Sequence, residues 1–415
     1  MDPTLLSGID VISGEGITIQ FRASVGTIES SAPCAEPPGV YLAPGLCDLQ
    51  VNGSLGVDFG AAGALGPAAT ASGLSRVCAH LHASGVTSFF PTLITSSPES
   101  LEASCASLAA ALALLPPAHA ASIAGFHLEG PFINPADGYR GAHPASHCAP
   151  PDLALLRRWQ AAADGRIKVV TLAPELPGAL EFIVGAVAQG VAVSIGHSAA
   201  TAEQVRAAAA AGASLSTHLC NGVPLSLHRH ANPIWAQLGE DRLAAGFIAD
   251  SWHVPPEVLR AALRAKGPSR SFLVSDAAAL AGCSPGEYRG ALIGGDVVLS
   301  GEPGGARPQR LGMREGGYLA GSACTLLQAV AHVMGLVDSA PGGDGATRRL
   351  AAAWALASVS PARLVGLPQS AALTPGAPAD VVEFSVEAGG GPRVARVWVR
   401  GELVFERVTA ERGAR

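Results

Sequence analysis

Eight short apolar runs, each leading into an alanine-rich helical pattern, constrain this 415-residue chain more than any other feature. The runs are Leu46–Val51, Thr87–Thr92, Ile123–Leu128, Lys168–Leu172, Val191–Ile195, Ser214–Thr217, Leu243–Ile248 and Ser271–Val274. Several lack apolar–polar alternation, as parallel strands covered on both faces do. Thr201-Ala-Glu-Gln204 marks the clearest intervening helix start, a capping box ahead of Val205–Ala211, with Gly212 as the stop. Eight strand–helix units over this length predict an α/β fold, a closed (β/α)8 TIM barrel. An open doubly wound sheet is the alternative.

The ends of the chain read differently. Gly16-Ile-Thr-Ile-Gln20 alternates weakly, and Ala379–Phe384 and Arg396–Phe405 are strand-like and joined by Gly389-Gly390-Gly391. The expected organisation is therefore a barrel over residues 44–368 beside a small β-sandwich domain formed by both termini, 1–43 and 369–415. The Gly-rich stretch Ala281–Gly317 reads as an insertion after the eighth strand.

Composition removes several function classes. At 48% hydrophobic and 14% charged the chain suits a packed enzyme and not a disordered segment. A formal charge of −6 with no basic run predicts no nucleic-acid surface and no anionic-membrane binding. The start, Met1-Asp2-Pro3-Thr4, lacks a secretory pattern, and the most apolar run, Ala106–Leu115, is too short to span a bilayer. The eight scattered cysteines, with no Cys-x-x-Cys pair, read as reduced core residues of a cytoplasmic protein. No P-loop pattern occurs, and Gly14-Glu-Gly16 precedes no helix. Only two of the 27 basic residues are lysines. Lys168 begins its strand at the face away from the mouth and Lys266 lies late in a helix, which disfavours Schiff-base chemistry and a carbamylated-lysine metal bridge.

Chemistry on such a barrel sits at the C-terminal strand ends. Those ends carry Asp48, Gln50 and Asn52; His127 and Glu129; His197; His218; and Asp276. His197 and His218 are one strand–helix–strand unit apart, so their imidazoles can enter one mouth. Two imidazoles and a carboxylate, Glu129, form a common catalytic zinc set with a position left open for water. Each histidine could instead be a hydrogen-bonded core residue. Asp276 could take a proton from an activated water and return it to a leaving amine, or simply cap a following helix. His143, on a turn-rich loop, could reach a substrate carbonyl or stand in solvent. Arg229 and His253 are candidates for an anion, helped by backbone N–H groups of Asn221-Gly222; a surface arginine and a helix-cap histidine are the plainer readings.

Taken in order, Pro44-Gly-Leu-Cys-Asp-Leu-Gln-Val-Asn-Gly53, His127-Leu-Glu-Gly-Pro-Phe132, Gly141-Ala-His143, Thr171-Leu-Ala-Pro-Glu175, Gly196-His-Ser198, Thr217-His-Leu-Cys-Asn221, Asp276-Ala277 and Leu319-Ala-Gly-Ser322 carry a likeness. The chain resembles the N-acetylglucosamine-6-phosphate deacetylase family of the amidohydrolase superfamily. The resemblance implies a homodimer and one divalent metal ion per chain on Glu129, His197 and His218, zinc first, with Fe2+, Mn2+ or Co2+ as the other ions. It implies Asp276 as general base and acid, His143 as the carbonyl-polarising group, and Asn221, Gly222, Arg229 and His253 at the sugar phosphate. Gln50 and Asn52 stand where some relatives have His-x-His, as vestigial second-metal positions. The implied reaction is removal of the N-acetyl group from N-acetylglucosamine 6-phosphate. Ser275, Gly222-Val223, Ser251-Trp252, Leu225–Trp235 and the Gly-rich insertion depart from the family pattern, all on the substrate side. Two other readings stand beside it: a deacylase of another N-acyl amine or amino sugar lacking a phosphate, and a non-catalytic barrel serving as an interaction protein.

Overall fold

The computed structural model describes residues 2–292, 295–305, 307–315, 317–337, 345–367 and 373–408. Eight parallel strands follow one another in chain order: Leu46–Val51, Val86–Ile94, Phe126–Glu129, Ile167–Leu172, Ala192–Ile195, Leu215–Ser216, Ala244–Ile248 and Ser271–Val274. The ring closes where Asp276 N–H donates to Gln50 O at 3.0 Å and Val51 bridges Ala277. The helices after successive strands are Pro67–Ala83, Pro98–Leu112, Leu153–Ala162, Ala179–Val187, Ala202–Ala211, Pro233–Leu238, Pro256–Lys266 and Leu326–Met334. The open-sheet alternative falls. The capping box forms as read, with Thr201 and Gln204 bonding reciprocally and Gly212 in the left-handed conformation that ends the helix.

Leu49, Phe90, Val169, Leu215 and Phe272 pack inside the ring. A polar thread crosses this apolar interior. His127 Nε2 meets Thr171 Oγ1 at 2.8 Å, Thr171 meets Thr217 at 2.7 Å, and Thr217 meets Ser194 at 2.6 Å. Every member is paired, as a buried polar group must be. His127 also bonds Leu49 O through Nδ1 at 3.1 Å, so of the strand-end histidines this one is the core residue. The sixth strand is shorter than the apolar run Ser214–Thr217 by one residue at each end, and the backbone turns at His218 with a φ of 28°.

Both termini build one seven-stranded sheet: Thr4–Asp10, Gly16–Phe21, Ile28–Pro33, Tyr41–Pro44, Val381–Val386, Pro392–Val399 and Glu402–Glu406. Phe21 and Trp398, on strands that are not sheet neighbours, meet edge to face at 6.0 Å, so the sheet folds over its own core. Arg396–Phe405, read as one strand, is two: Arg400 and Gly401 take φ of 49° and 77° and turn a two-residue hairpin. Trp354 stacks on Phe384 at 4.6 Å and donates to Pro44 O at 2.9 Å, tying this domain to the barrel.

The Gly-rich insertion forms a three-stranded antiparallel sheet, Gly286–Leu292, Gly295–Ser300 and Arg310–Met313. All eight cysteines are free. Lys168 is exposed and Lys266 is buried, its ammonium donating to Glu240 O and Leu243 O at 2.8 and 2.9 Å. Among the described residues no helix is long and apolar enough to cross a membrane.

Candidate active site

The C-terminal strand ends open on a cavity of about 580 Å³, within the size range of small-molecule sites. Glu129, at the end of the third strand, lies at its base, 2% exposed. His197 Nε2 and His218 Nε2 converge on one of its oxygens, Oε1, at 3.2 and 2.8 Å. The other oxygen, Oε2, faces His143 Nε2 at 4.0 Å. His197 and His218 both carry positive φ, 51° and 28°, as do Cys220, Ser251 and Asp276. Non-glycine residues in that region cost energy, and such outliers gather where a site demands a particular side-chain direction.

Several outer contacts hold these side chains. His197 Nδ1 meets Tyr139 O at 2.7 Å. A donor bond there leaves Nε2 with its lone pair, the arrangement metal-ligating imidazoles use. Glu175 ties down the chain beyond His197, accepting from Ser198 Oγ at 2.7 Å, Ala199 N at 2.5 Å and Asn134 Nδ2 at 2.9 Å. His143 Nδ1 meets Thr95 Oγ1 at 2.8 Å. Thr95, Tyr139 and Glu175 were not singled out from the sequence as site residues.

The electrostatics separate the roles. Burial works to raise the Glu129 carboxyl, but the His197 and His218 imidazoles against it hold it well below the ordinary carboxylate range. Burial works against charge on His218, and the bond to Glu129 outweighs it, raising that imidazole. Burial lowers His143 to about 3, with His197 adding to the effect, so it is neutral near pH 7. Burial and the nearby Glu129 charge raise Asp276 to about 6.

Glu129, His143 and His197 each bring a donor atom within 4.8 Å of the others, a Glu/His/His cluster that can hold a metal ion. His218 supplies a further imidazole against the same carboxylate oxygen as His197. Oxygen and imidazole-nitrogen donors of this kind suit a divalent ion such as zinc, so the residues fit the group.

Asp276 heads no helix: the chain continues into a bridge between Ala277 and Ser322, and the next helix starts at Leu326. The helix-cap reading falls. Its Oδ1 instead accepts from Gln50 Nε2 at 3.0 Å and Asn52 Nδ2 at 2.7 Å. The two positions expected as vestigial second-metal positions thus present amide donors to one carboxylate oxygen. The arrangement is a buried carboxylate and a Glu/His/His set lining one small cavity, a layout suited to metal-assisted hydrolysis.

No family model matches the chain. Individual relatives do. It is 32% identical over 402 residues to the N-acetylglucosamine-6-phosphate deacetylase of Vibrio furnissii, covering 95% of this chain and 92% of that one. The human enzyme of the same name is 34% identical, over 89% and 84%. The chain belongs to the N-acetylglucosamine-6-phosphate deacetylase family. A relative from Escherichia coli O157:H7, 31% identical over 92% of this chain and 94% of its own, is named N-acetylgalactosamine-6-phosphate deacetylase. Among solved structures, a point variant of the Mycobacterium smegmatis deacetylase in complex with N-acetyl-D-glucosamine-6-phosphate matches with a TM-score of 0.81. It is 29% identical and covers 97% of this chain and 100% of that one. Membership of this family sets aside the reading as a non-catalytic barrel.

Of the residues that the resemblance placed at the sugar phosphate, Asn221, Gly222 and His253 line the mouth. Asn221 Nδ2 donates to His218 O at 3.2 Å. Gly222 has a φ of 63°, and a Cβ there would lie 2.9 Å from His197 Nδ1, so glycine lets the turn press against the imidazole. His253 is held by Asp250, which accepts from its Nδ1 at 2.7 Å and its backbone N–H at 2.8 Å. Arg229 stands apart. It is exposed, its carbonyl accepts from Trp235 Nε1 at 3.0 Å, and it does not line the mouth of its own chain.

Proposed function

We propose that this chain hydrolyses the N-acetyl amide of N-acetylglucosamine 6-phosphate to glucosamine 6-phosphate and acetate. Glu129, His197 and His218 hold one divalent ion, zinc first, and Asp276 moves the proton. The observation that carries this reading is the opposition of Asp276 to the Glu129–His197–His218 set across one buried mouth. When bound, the metal supplies Lewis acidity, polarising the amide carbonyl and lowering the pKa of water.

Asp276, with Oδ1 engaged by Gln50 and Asn52, presents Oδ2 to the attacking water and takes its proton. The oxygen bonds to the carbonyl carbon, the C–N bond breaks, and Asp276 returns the proton to the leaving nitrogen. A carboxyl near pH 6 is suited to both halves of that cycle. Thr95 has one hydroxyl proton and two acceptors, His143 Nδ1 at 2.8 Å and Glu129 O at 3.5 Å. The shorter contact takes it, which puts the imidazole proton of His143 on Nε2. From there it hydrogen-bonds the substrate carbonyl oxygen as negative charge develops. The enzyme works as a homodimer in the cytoplasm on this reading, in keeping with its free cysteines.

A second reading, a deacylase of an N-acyl amine without phosphate, is favoured by one observation, the position of Arg229 outside the mouth. Acetate release from N-acetylglucosamine 6-phosphate, its galactosamine epimer and unphosphorylated N-acetylglucosamine, with elemental analysis of the same protein, tests both. The proposal predicts roughly one divalent ion per chain and turnover of the phosphorylated glucosamine substrate above the other two. Equal turnover with and without phosphate contradicts it.

A further inference from the structure

Two of the departures from the family pattern, Trp252 and the Gly-rich insertion, are packed on each other at the rim of the mouth. Trp252 Nε1 donates to Pro308 O at 3.1 Å, and Arg307 stacks over the indole at 3.8 Å. Arg310, on the insertion's last strand, lies 6.0 Å from the same ring. Among the described residues Arg310 is the one arginine or lysine that lines the mouth, alongside Trp252 and His253.

That strand is firmly held. Gln309, buried beside Arg310, donates to Cys283 O and Gly301 O, each at 3.0 Å, and accepts from Gly282 N at 3.2 Å. Ala320 N donates to Leu311 O at 3.2 Å, and Ser322 N donates to Asp276 O at 2.9 Å. The strand is therefore joined through a short backbone ladder to the residue carrying the acid–base carboxylate. Gly312, two positions on and so on the same face, leaves room for the guanidinium: a Cβ there would lie 3.0 Å from Arg310 Nη1. Nearby Arg314 is paired with Glu287 at 2.7 Å, whereas no ion pair among the described residues engages Arg310.

Charge gives this residue a task. Three carboxylates, Asp58, Glu129 and Asp276, line the mouth, and beside the divalent ion proposed at Glu129 a guanidinium at the rim further offsets the repulsion an anionic substrate meets there. We infer that Arg310 is a substrate-binding residue that receives the phosphomonoester end of the substrate, within its own chain. The inference rests on the deacetylase reading for its substrate. A guanidinium is suited to it, because its forked donors match two phosphate oxygens and it is charged at every working pH.

The test compares wild type with Arg310→Met, which keeps the apolar stem against Trp252, Arg310→Lys, which keeps the charge, and Arg229→Met. Steady-state kinetics are measured on N-acetylglucosamine 6-phosphate and on N-acetylglucosamine, and inorganic phosphate is titrated into each protein calorimetrically. Arg310→Met is expected to raise KM for the phosphorylated sugar roughly 10- to 100-fold with kcat little changed, and to leave kcat/KM for the neutral sugar unaltered. Arg310→Lys recovers most of the loss, and Arg229→Met has the smaller effect. An unchanged KM in Arg310→Met, equal losses on both sugars, or a larger effect of Arg229→Met overturns the assignment. If wild type fails to turn over the phosphorylated sugar, the deacetylase reading falls on its own, and the phosphate titration decides this one. Binding that weakens in Arg310→Met upholds it; binding that is absent in wild type or equal in the two proteins overturns it.

Discussion

Two histidine clusters in this molecule have opposite fates. At the mouth, the ring centroids of His197 and His218 lie 4.9 Å apart and those of His143 and His197 4.5 Å apart, around Glu129. Within the helical layer, His82 of the helix Pro67–Ala83 and His119 of the short helix Pro117–Ser122 pack edge to face at 5.3 Å. Ring spacing does not separate them. Their partners do. His82 Nε2 meets Ser122 Oγ at 2.8 Å and His119 Nδ1 meets Ser75 Oγ at 3.0 Å. No carboxylate among the described residues bonds it, and burial and then His119 lower His82 to about 3. Glu129 reverses that outcome for His218, which is raised although it too is buried. What separates the clusters is geometry: a carboxylate where a cavity meets the strand ends completes a donor set that can hold a metal ion, and the packed pair has none like it among the described residues.

The comparison breaks most sharply at Glu129. Glu129→Gln removes the charge while keeping the shape, and acetate release is expected to fall to background. Asp276→Asn should lower kcat by about 10²- to 10⁴-fold with bound metal retained, which kinetics and elemental analysis together would separate from ligand loss. The base must be ionised, so wild-type kcat/KM should decline as pH falls below about 6, approaching tenfold per unit. A flat profile between pH 5 and pH 7, on the order of the range tested, counts against Asp276 as the base.

His82→Ala addresses the other cluster. It should cost about 1–3 kcal/mol in denaturant unfolding and leave specific activity and metal content unchanged. The pH dependence has a definite sign. The folded-state value of His82 lies below the unfolded 6.5, so the unfolded chain binds the proton first. The stability that neutral His82 contributes is complete above pH 6.5 and is lost as pH falls from there toward 3. The smallest expected effect is that of Thr95→Val, which removes the hydroxyl that orients His143. A net hydrogen bond of about 0.5–1.5 kcal/mol corresponds to a roughly 2- to 12-fold loss in kcat. No loss would mean that His143 keeps its tautomer without Thr95.

The barrel was legible because every strand is short, apolar and followed by a helix, and that pattern is local. Glu129, His197, His218 and Asp276 stand at the ends of those strands, and that placement made them candidates for the mouth they line. Where the reading fell short, the deciding contact is long-range or indifferent to residue type. Tyr139 acts through its carbonyl, which any residue carries. Thr95 was passed over because the second strand runs on to Ile94, past the expected end at Thr92. The Arg400-Gly401 hairpin hides inside an alternating run, since arginine at positive φ gives no turn signal. His127 sits at a strand end like the others, and only the threonines and serine around it show that it belongs to the core. Gln50 and Asn52 read as traces of a second metal site, and their amides meet Asp276 across more than 220 residues of sequence.

The central claim is that Glu129 turns the mouth histidines into a metal site. The most direct measurement is the divalent metal content of wild type, Glu129→Gln and His82→Ala purified identically. Wild type and His82→Ala should each carry about one ion per chain, and Glu129→Gln close to none. Equal metal in wild type and Glu129→Gln, or a loss confined to His82→Ala, would contradict it.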